Sequence, residues 1–261
     1  MSLGRRQRRA DPERATAADR VRASCLAVEE LASGDWSRPG AAIQDLNDAT
    51  AQGPVSAEAT MLASMQSLAE CLAMIRRTQE SAGTYRAVMA SLARTALISA
   101  SKVLYVLGPS DESERQANAL EVAKQDARSL GRLYDDAEAF GQLLGLCPPP
   151  EVLGQRRPQI DSFGKSNPIG EGRLLAKMAA VAAGMLAAQP REGSDSDDEA
   201  LVREHVLWIF NVYSGVAHGL GWPRELPTMD GILPGDWLAD VGMVAALGQL
   251  AMETARSRWD E

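Results

Sequence analysis

Residues 56–80 read SAEATMLASMQSLAECLAMIRRTQE, and within them Met61, Met65, Leu68, Leu72 and Ile75 follow one another at steps of four, three, four and three. An α-helix of 3.6 residues per turn lays those side chains in one stripe, whereas a strand would send neighbours to opposite faces. Ser56 stands where an N-cap is needed, its hydroxyl placed to accept from an amide of the first turn. The stripe is the seam of a helix facing another helix, so the methionines belong to a core.

The same period recurs along the chain. Asp11 to Ser33 reads as a helix with Pro12 near its start and Gly34 as its stop. Gly40 to Gly53 holds a short second one. Thr84 to Leu107 places Val88, Leu92, Ala96, Ser99, Val103 and Val106 on one face, and Gly108-Pro109 ends it. Glu112 to Leu144 is the longest, with Ala117, Leu120, Ala127, Leu130, Tyr134, Ala137 and Leu144 near one stripe and room for a kink at Gly131. Glu171 to Gln189, Asp198 to Ala217 and Asp236 to Arg256 complete the series, the last burying Trp237, Val241, Val244 and Ala251. From 145 to 172 the prolines at 148–150, Pro158, Pro168 and several glycines break the pattern and predict a long connection. The expected architecture is an all-α helical bundle: a disordered basic arm over 1–12, then one helical domain over 13–261.

Composition agrees. Of 261 residues 45% are hydrophobic, 24% charged and only 5% aromatic, which suits close-packed, Ala-rich helices. The net charge of −8 excludes a generally basic nucleic-acid binder. Arg5, Arg6, Arg8 and Arg9 give the first ten residues +4 and leave −12 for the rest, a basic arm on an acidic body. No apolar run follows those arginines, and the most apolar stretch, Leu174 to Gln189, contains Lys177 and is shorter than a membrane span; a cytoplasmic protein without a membrane partner is expected. Cys25, Cys71 and Cys147 form no C-x-x-C pair and read as small hydrophobes rather than metal ligands. Asp195, Asp197, Asp198 and Glu199 lack the glycine and terminal glutamate spacing of a calcium loop. There is no phosphate-binding loop, no dinucleotide fingerprint and no repeat of solenoid period, and no metal or cofactor is expected.

One helix carries chemistry-bearing residues: REHVLWIFNVYSGVAHGLGW, residues 203–222, holds both histidines. Asn211, Ser214 and His218 stand at i, i+3 and i+7, a polar row about 10 Å long beside Trp208, Phe210 and Trp222, with Glu204 on the same line. Buried polar groups need partners, so this row marks a pocket or a partner surface unless Ser214 bonds back to its own helix and His218 caps the last turn. His205 lies about 120° off the line and reads as structural.

At these residues the chain resembles a group of actinobacterial all-helical proteins whose C-terminal part reads Tyr-Arg-x-x-Ser-Gly-x-x-His-Gly; Phe210 to Gly219 follows that pattern. A second patch, Leu92 to Leu97 through Val106-Leu107-Gly108-Pro109 with Arg115 beyond, looks like that group's Leu-x-Arg-x-Ala-Leu-Glu helix. The group is similar in turn to the HEPN superfamily, helical bundles in which Arg and His form a metal-independent ribonuclease site completed across a homodimer. The resemblance implies that His218 shuttles a proton at a ribose hydroxyl, assisted by Ser214, while a cation holds the phosphate. It also implies a homodimer that engages RNA or a nucleotide in a defence or stress setting. The chain departs in placing Asn211 where the motif has Arg and Ile98 where the earlier helix has Glu. Arg94 and Lys102 occupy basic positions of the second patch and are the candidate substrate-binding residues.

Two other readings fit less. A non-enzymatic interaction protein would use its Ala- and Met-rich faces for a protein partner or for oligomerisation. A helical prenyl-chain enzyme, suggested by Asp135, Asp136 and Glu138, lacks a second acidic motif and the aromatics of a carbocation pocket.

Overall fold

The computed structural model describes residues 12–80, 85–139, 150–164, 171–188, 198–226 and 236–261. Among them every regular element is helical: α1 Pro12–Ala32, α2 Ala41–Ala49, α3 Ala57–Glu80, α4 Arg86–Leu107, α5 Glu112–Ala139, α6 Pro150–Gly164, α7 Glu171–Ala187, α8 Asp198–Ala217, a 3-10 turn Trp222–Glu225, and α9 Trp237–Asp260. The chain is an all-α helical bundle. The basic arm, Cys147 and the acidic stretch around Asp195 and Asp197 lie outside the described residues, as do Leu144 and the side chains of Ala137 and Glu138.

The α3 seam is buried as its spacing predicts: Met61, Met65, Leu68, Leu72 and Ile75 are all core. Ser56 Oγ accepts from the Ala59 amide at 3.1 Å and starts the helix. At the other end of the chain Asp236 caps α9 by accepting from the Leu238 amide at 3.2 Å. Glu29 on α1 takes both Arg76 Nε at 2.7 Å and Nη2 at 2.9 Å from α3, and Arg22, earlier in α1, pairs with Glu80, later in α3, so the two helices run antiparallel. That hydrogen-bonded guanidinium holds the Glu29 carboxyl below its ordinary range. Burial, reinforced by Glu29, pushes the Cys25 thiol up to about 12, and no disulfide is formed by Cys25 or Cys71.

α4 is the centre. It packs against α3, α5, α7, α8 and α9. By length and composition it could cross a membrane, but more than half of its apolar window is buried inside the bundle. The single apolar face expected for it is a correction. Ala96, Ser99, Val103 and Val106 are buried, but so are Ala93, Leu97, Ala100, Leu104 and Leu107 on other sides, while Val88 is 49% exposed. A helix clasped on several sides carries no single stripe.

The α5 stripe is also displaced. Ala117 is exposed, and the inward face runs through Asn118, Ala119, Val122, Ala123, Ala127 and Tyr134. Polar residues belong to it: Asn118 Nδ2 donates to the Tyr105 carbonyl at 2.8 Å, and Arg115 Nη1 donates to the Ser110 carbonyl at 2.8 Å. An apolar period alone cannot register a face that is partly polar.

The expected connection over 145–172 contains a helix instead, α6, with Pro158 inside it. Proline removes one amide and presses on the carbonyl four residues earlier, and that residue is Gly154. Packing on α5 outweighs the poor propensity. Ile160 is buried, a Cβ on Gly131 would stand 3.2 Å from its Cγ2, and Arg157 Nη2 pairs with Asp135 at 2.6 Å. Gly131 is thus a place of close approach, and Asp135 is an ion-pair partner.

Two substitutions on α4 are expected to move stability in opposite directions. Leu104→Ala, at a fully buried position, should cost about 2–5 kcal/mol in denaturant unfolding. Ser101→Ala should raise stability by about 0.5–1 kcal/mol, because the buried Ser101 hydroxyl has no hydrogen-bond partner and alanine is the better helix former.

Candidate functional site

α8 is stopped by its own backbone. Gly219 adopts φ +68°, the Gly219 amide bonds to the Val216 carbonyl at 3.1 Å, and the Leu220 amide reaches back to Gly215 at 2.9 Å. That pairing is the Schellman motif, which needs a residue tolerant of the left-handed region, so His218 becomes the C-cap that directly follows the helix. The chain then folds back over α8. A Cβ on Gly215 would lie 2.6 Å from the Trp222 ring and 2.9 Å from Pro223, so only glycine lets the 3-10 turn close on the helix.

The place of this end in the bundle follows from two contacts. Gly108, at the end of α4, lies against Met185 near the end of α7, and Gly184 of α7 faces Glu199 at the start of α8. α8 therefore begins where α4 ends and runs back along it. Its C-terminus, with His218, comes out beside the N-terminal half of α4. Tyr85, Val88, Leu220 and Trp222 are exposed at this same end.

Arg94 of α4 meets α8 there. Its Nε donates to Ser214 Oγ at 2.7 Å, and its guanidinium carbon sits 5.1 Å from the centre of the Phe210 ring. The ring face and the hydroxyl fix the cation from two sides. Ser214 accepts from another helix, so its role is the bridge from α8 to α4. His218 lies one turn on, a rise of about 6 Å, on the same face. Asn211 and His218 are exposed, and among the described residues no side-chain hydrogen bond ties either. Arg94, Ser214, Asn211 and His218 thus form one surface constellation of a fixed cation, a hydroxyl, an amide and an imidazole.

Lys102 does not join it. Its ammonium is 3.5 Å from Asp126 of α5, whose other oxygen accepts from Thr60 of α3 at 3.0 Å. Two helical turns beyond Arg94, Lys102 is turned to another neighbour. Ile98 packs against the core, so a charge there would be buried. Glu204 is exposed on the outer face of α8.

A second polar unit was only half legible. His205 Nε2 stands 2.6 Å from Asp240 Oδ1, and the buried Tyr213 hydroxyl donates to Asp240 Oδ2 at 2.8 Å. Asp240 is 3% exposed and sits in the first turn of α9, where the helix dipole favours a carboxylate. His205 is structural, as its angular position implied, but its partner lies 35 residues downstream. The available signal was an acid inside the apolar run WLADVGMV.

No protein-family model, curated protein or solved structure matches this chain. The resemblance to the HEPN group therefore rests on the residues quoted for it.

The Asp240 unit yields a stability test. Asp240→Ala should cost about 1.5–3 kcal/mol, since it removes the acceptor of two hydrogen bonds at a buried position, and Tyr213→Phe about 1 kcal/mol. In chemical denaturation the double variant should cost less than the sum of the two, because both changes break the same bond.

Proposed function

We propose that this chain is a HEPN-like helical module directed at RNA or a nucleotide, with a degenerate ribonuclease motif in which Arg94 of α4 supplies the cation that position 211 lacks. The observation that carries the reading is the Arg94 to Ser214 bond of 2.7 Å, which sets a guanidinium beside the row that ends in His218. A guanidinium fork recognises phosphate oxygens, and an exposed imidazole moves protons near neutral pH. Asn211 adds a neutral donor. It cannot make the charge-assisted contact of an arginine, and loss of one such donor typically costs about 100- to 1000-fold in rate. In this reading the protein is a cytoplasmic homodimer without metal or cofactor.

The second reading, a non-enzymatic interaction protein, is favoured by one surface. Leu201 at 66%, Trp208 at 43%, Leu220 at 50% and Trp222 at 46% exposure lie along the outer face of α8 and the turn after it. Clustered exposed aromatics of this kind are common at protein contacts.

Cleavage and binding of single-stranded RNA in EDTA separate the two. The native protein should bind RNA and cleave it weakly or not at all, Asn211→Arg should raise cleavage, and His218→Ala should abolish it. Arg94→Gln should weaken RNA binding without changing the helical circular dichroism. RNA binding that is indifferent to Arg94→Gln, or strong cleavage that survives His218→Ala, would overturn the proposal and leave the interaction reading.

A further inference from the structure

A groove of about 620 Å³ lies between the C-terminal end of α1, the middle of α3 and the C-terminal half of α9, helices that carry none of this constellation. Among the described residues none of α4 or α8 lines it, so it stands or falls independently of the function proposed above. Its volume is that of a small-molecule site, roughly 300–1,000 Å³.

Its chemistry is one-sided. The floor and walls are Leu62, Ala69, Ala73 and Met252 with Trp36. The alanines leave the room, since no side chain beyond a methyl group fills the space between the helices there. Trp36 is held as a fixed wall. It meets Trp259 edge to face at 5.3 Å, the Arg256 guanidinium lies 5.4 Å from its ring centre, and its carbonyl accepts from Trp259 Nε1 at 3.1 Å.

Two carboxylates border the apolar surface, and among the described residues no Lys, Arg or His lines it. Glu29 is already committed to Arg76 through both oxygens. Glu70 is exposed and accepts a hydrogen bond from Gln66 at 2.9 Å, and among the described residues it has no cationic partner. An anion entering here would meet the Glu70 charge, while Arg76 is already taken up by Glu29 and Arg256 by Asp260. A neutral apolar molecule would leave the Glu70 charge unused.

We infer that this groove binds an apolar amine, a small molecule whose hydrocarbon or aryl body lies on Leu62, Ala69, Ala73 and Met252 against the Trp36 indole and whose protonated nitrogen pairs with Glu70. A folded protein partner is a poorer fit, because stable protein interfaces cover roughly 800 Å² on each side and this surface is a local concavity.

The test is calorimetric titration of the full chain with n-decylamine, n-decanol and decanoate, each kept below its aggregation concentration. The three share one chain length and differ in the charge of the head. Decylamine should bind one per chain and roughly tenfold or more tighter than decanol, with decanoate weakest. Glu70→Gln should bring decylamine down to the affinity of decanol and leave decanol unchanged. Ala73→Phe should fill the groove and abolish binding of all three. Equal binding of decylamine and decanoate, or decylamine binding unaffected by Glu70→Gln, would overturn the inference. Glu70 lies on the exposed rim, so that variant decides the matter whether or not the bulkier one folds.

Discussion

The burial of α4 is the constraint on which the rest of this molecule depends. A helix enclosed by five others must offer small residues where their backbones come close, and Ala90, Ala93, Ala96, Ala100 and Ser101 do so among larger side chains such as Leu97 and Leu104. Close approach maximises dispersion contacts and area removed from water together. It also leaves few degrees of freedom, because the neighbours of a close-packed helix cannot shift far without opening voids. The positions of α8 and α9 are therefore set by α4.

That rigidity is what gives meaning to the polar contacts at its edge. Arg94 sits at the border between the buried and exposed sides of α4, where its stem packs and its guanidinium reaches the surface between helices. Its bond to Ser214 and its contact with Phe210 couple two helices already in van der Waals contact, so little conformational entropy is lost in holding the cation in place. On the other flank of α8, Asp240 draws His205 and Tyr213 toward the first turn of α9. α8 is thus pinned on one side through Ser214 and on the other through His205 and Tyr213. The face between these anchors remains exposed, with Trp208 and Asn211 upon it and His218 at its end.

How much of this was legible follows from which forces are local. The α3 seam and the cap at Ser56 are written within a few residues of where they act, and each is realised in the structure. The polar row on α8 was readable for the same reason. The tie of Arg94 to Ser214 spans 120 residues, and no spacing rule reaches that far. Lys102 shows the limit from the other side: it looked equivalent to Arg94 on a linear reading, yet a hundred-degree step per residue turns it to Asp126. α6 was hidden because Pro158 and its neighbouring glycines oppose a helix locally, while Ile160 and Arg157 favour it only in the presence of α5.

The distribution of charge then separates the two surfaces. An acidic chain repels polyanions within about a Debye length, roughly 8 Å at physiological salt, so any contact with phosphate depends on cations presented locally. Arg94 is positioned by the Ser214 hydroxyl and the Phe210 ring face, both of them neutral. At the groove between α1, α3 and α9 the cations are taken up by carboxylates instead: Arg76 pairs with Glu29 and Arg256 with Asp260, the latter at 3.0 Å, and among the described residues Glu70 borders the apolar surface without a cationic partner. The two surfaces thus differ in electrostatic preference though built from the same few residue types, because each charge acts according to the partner its helix neighbours supply.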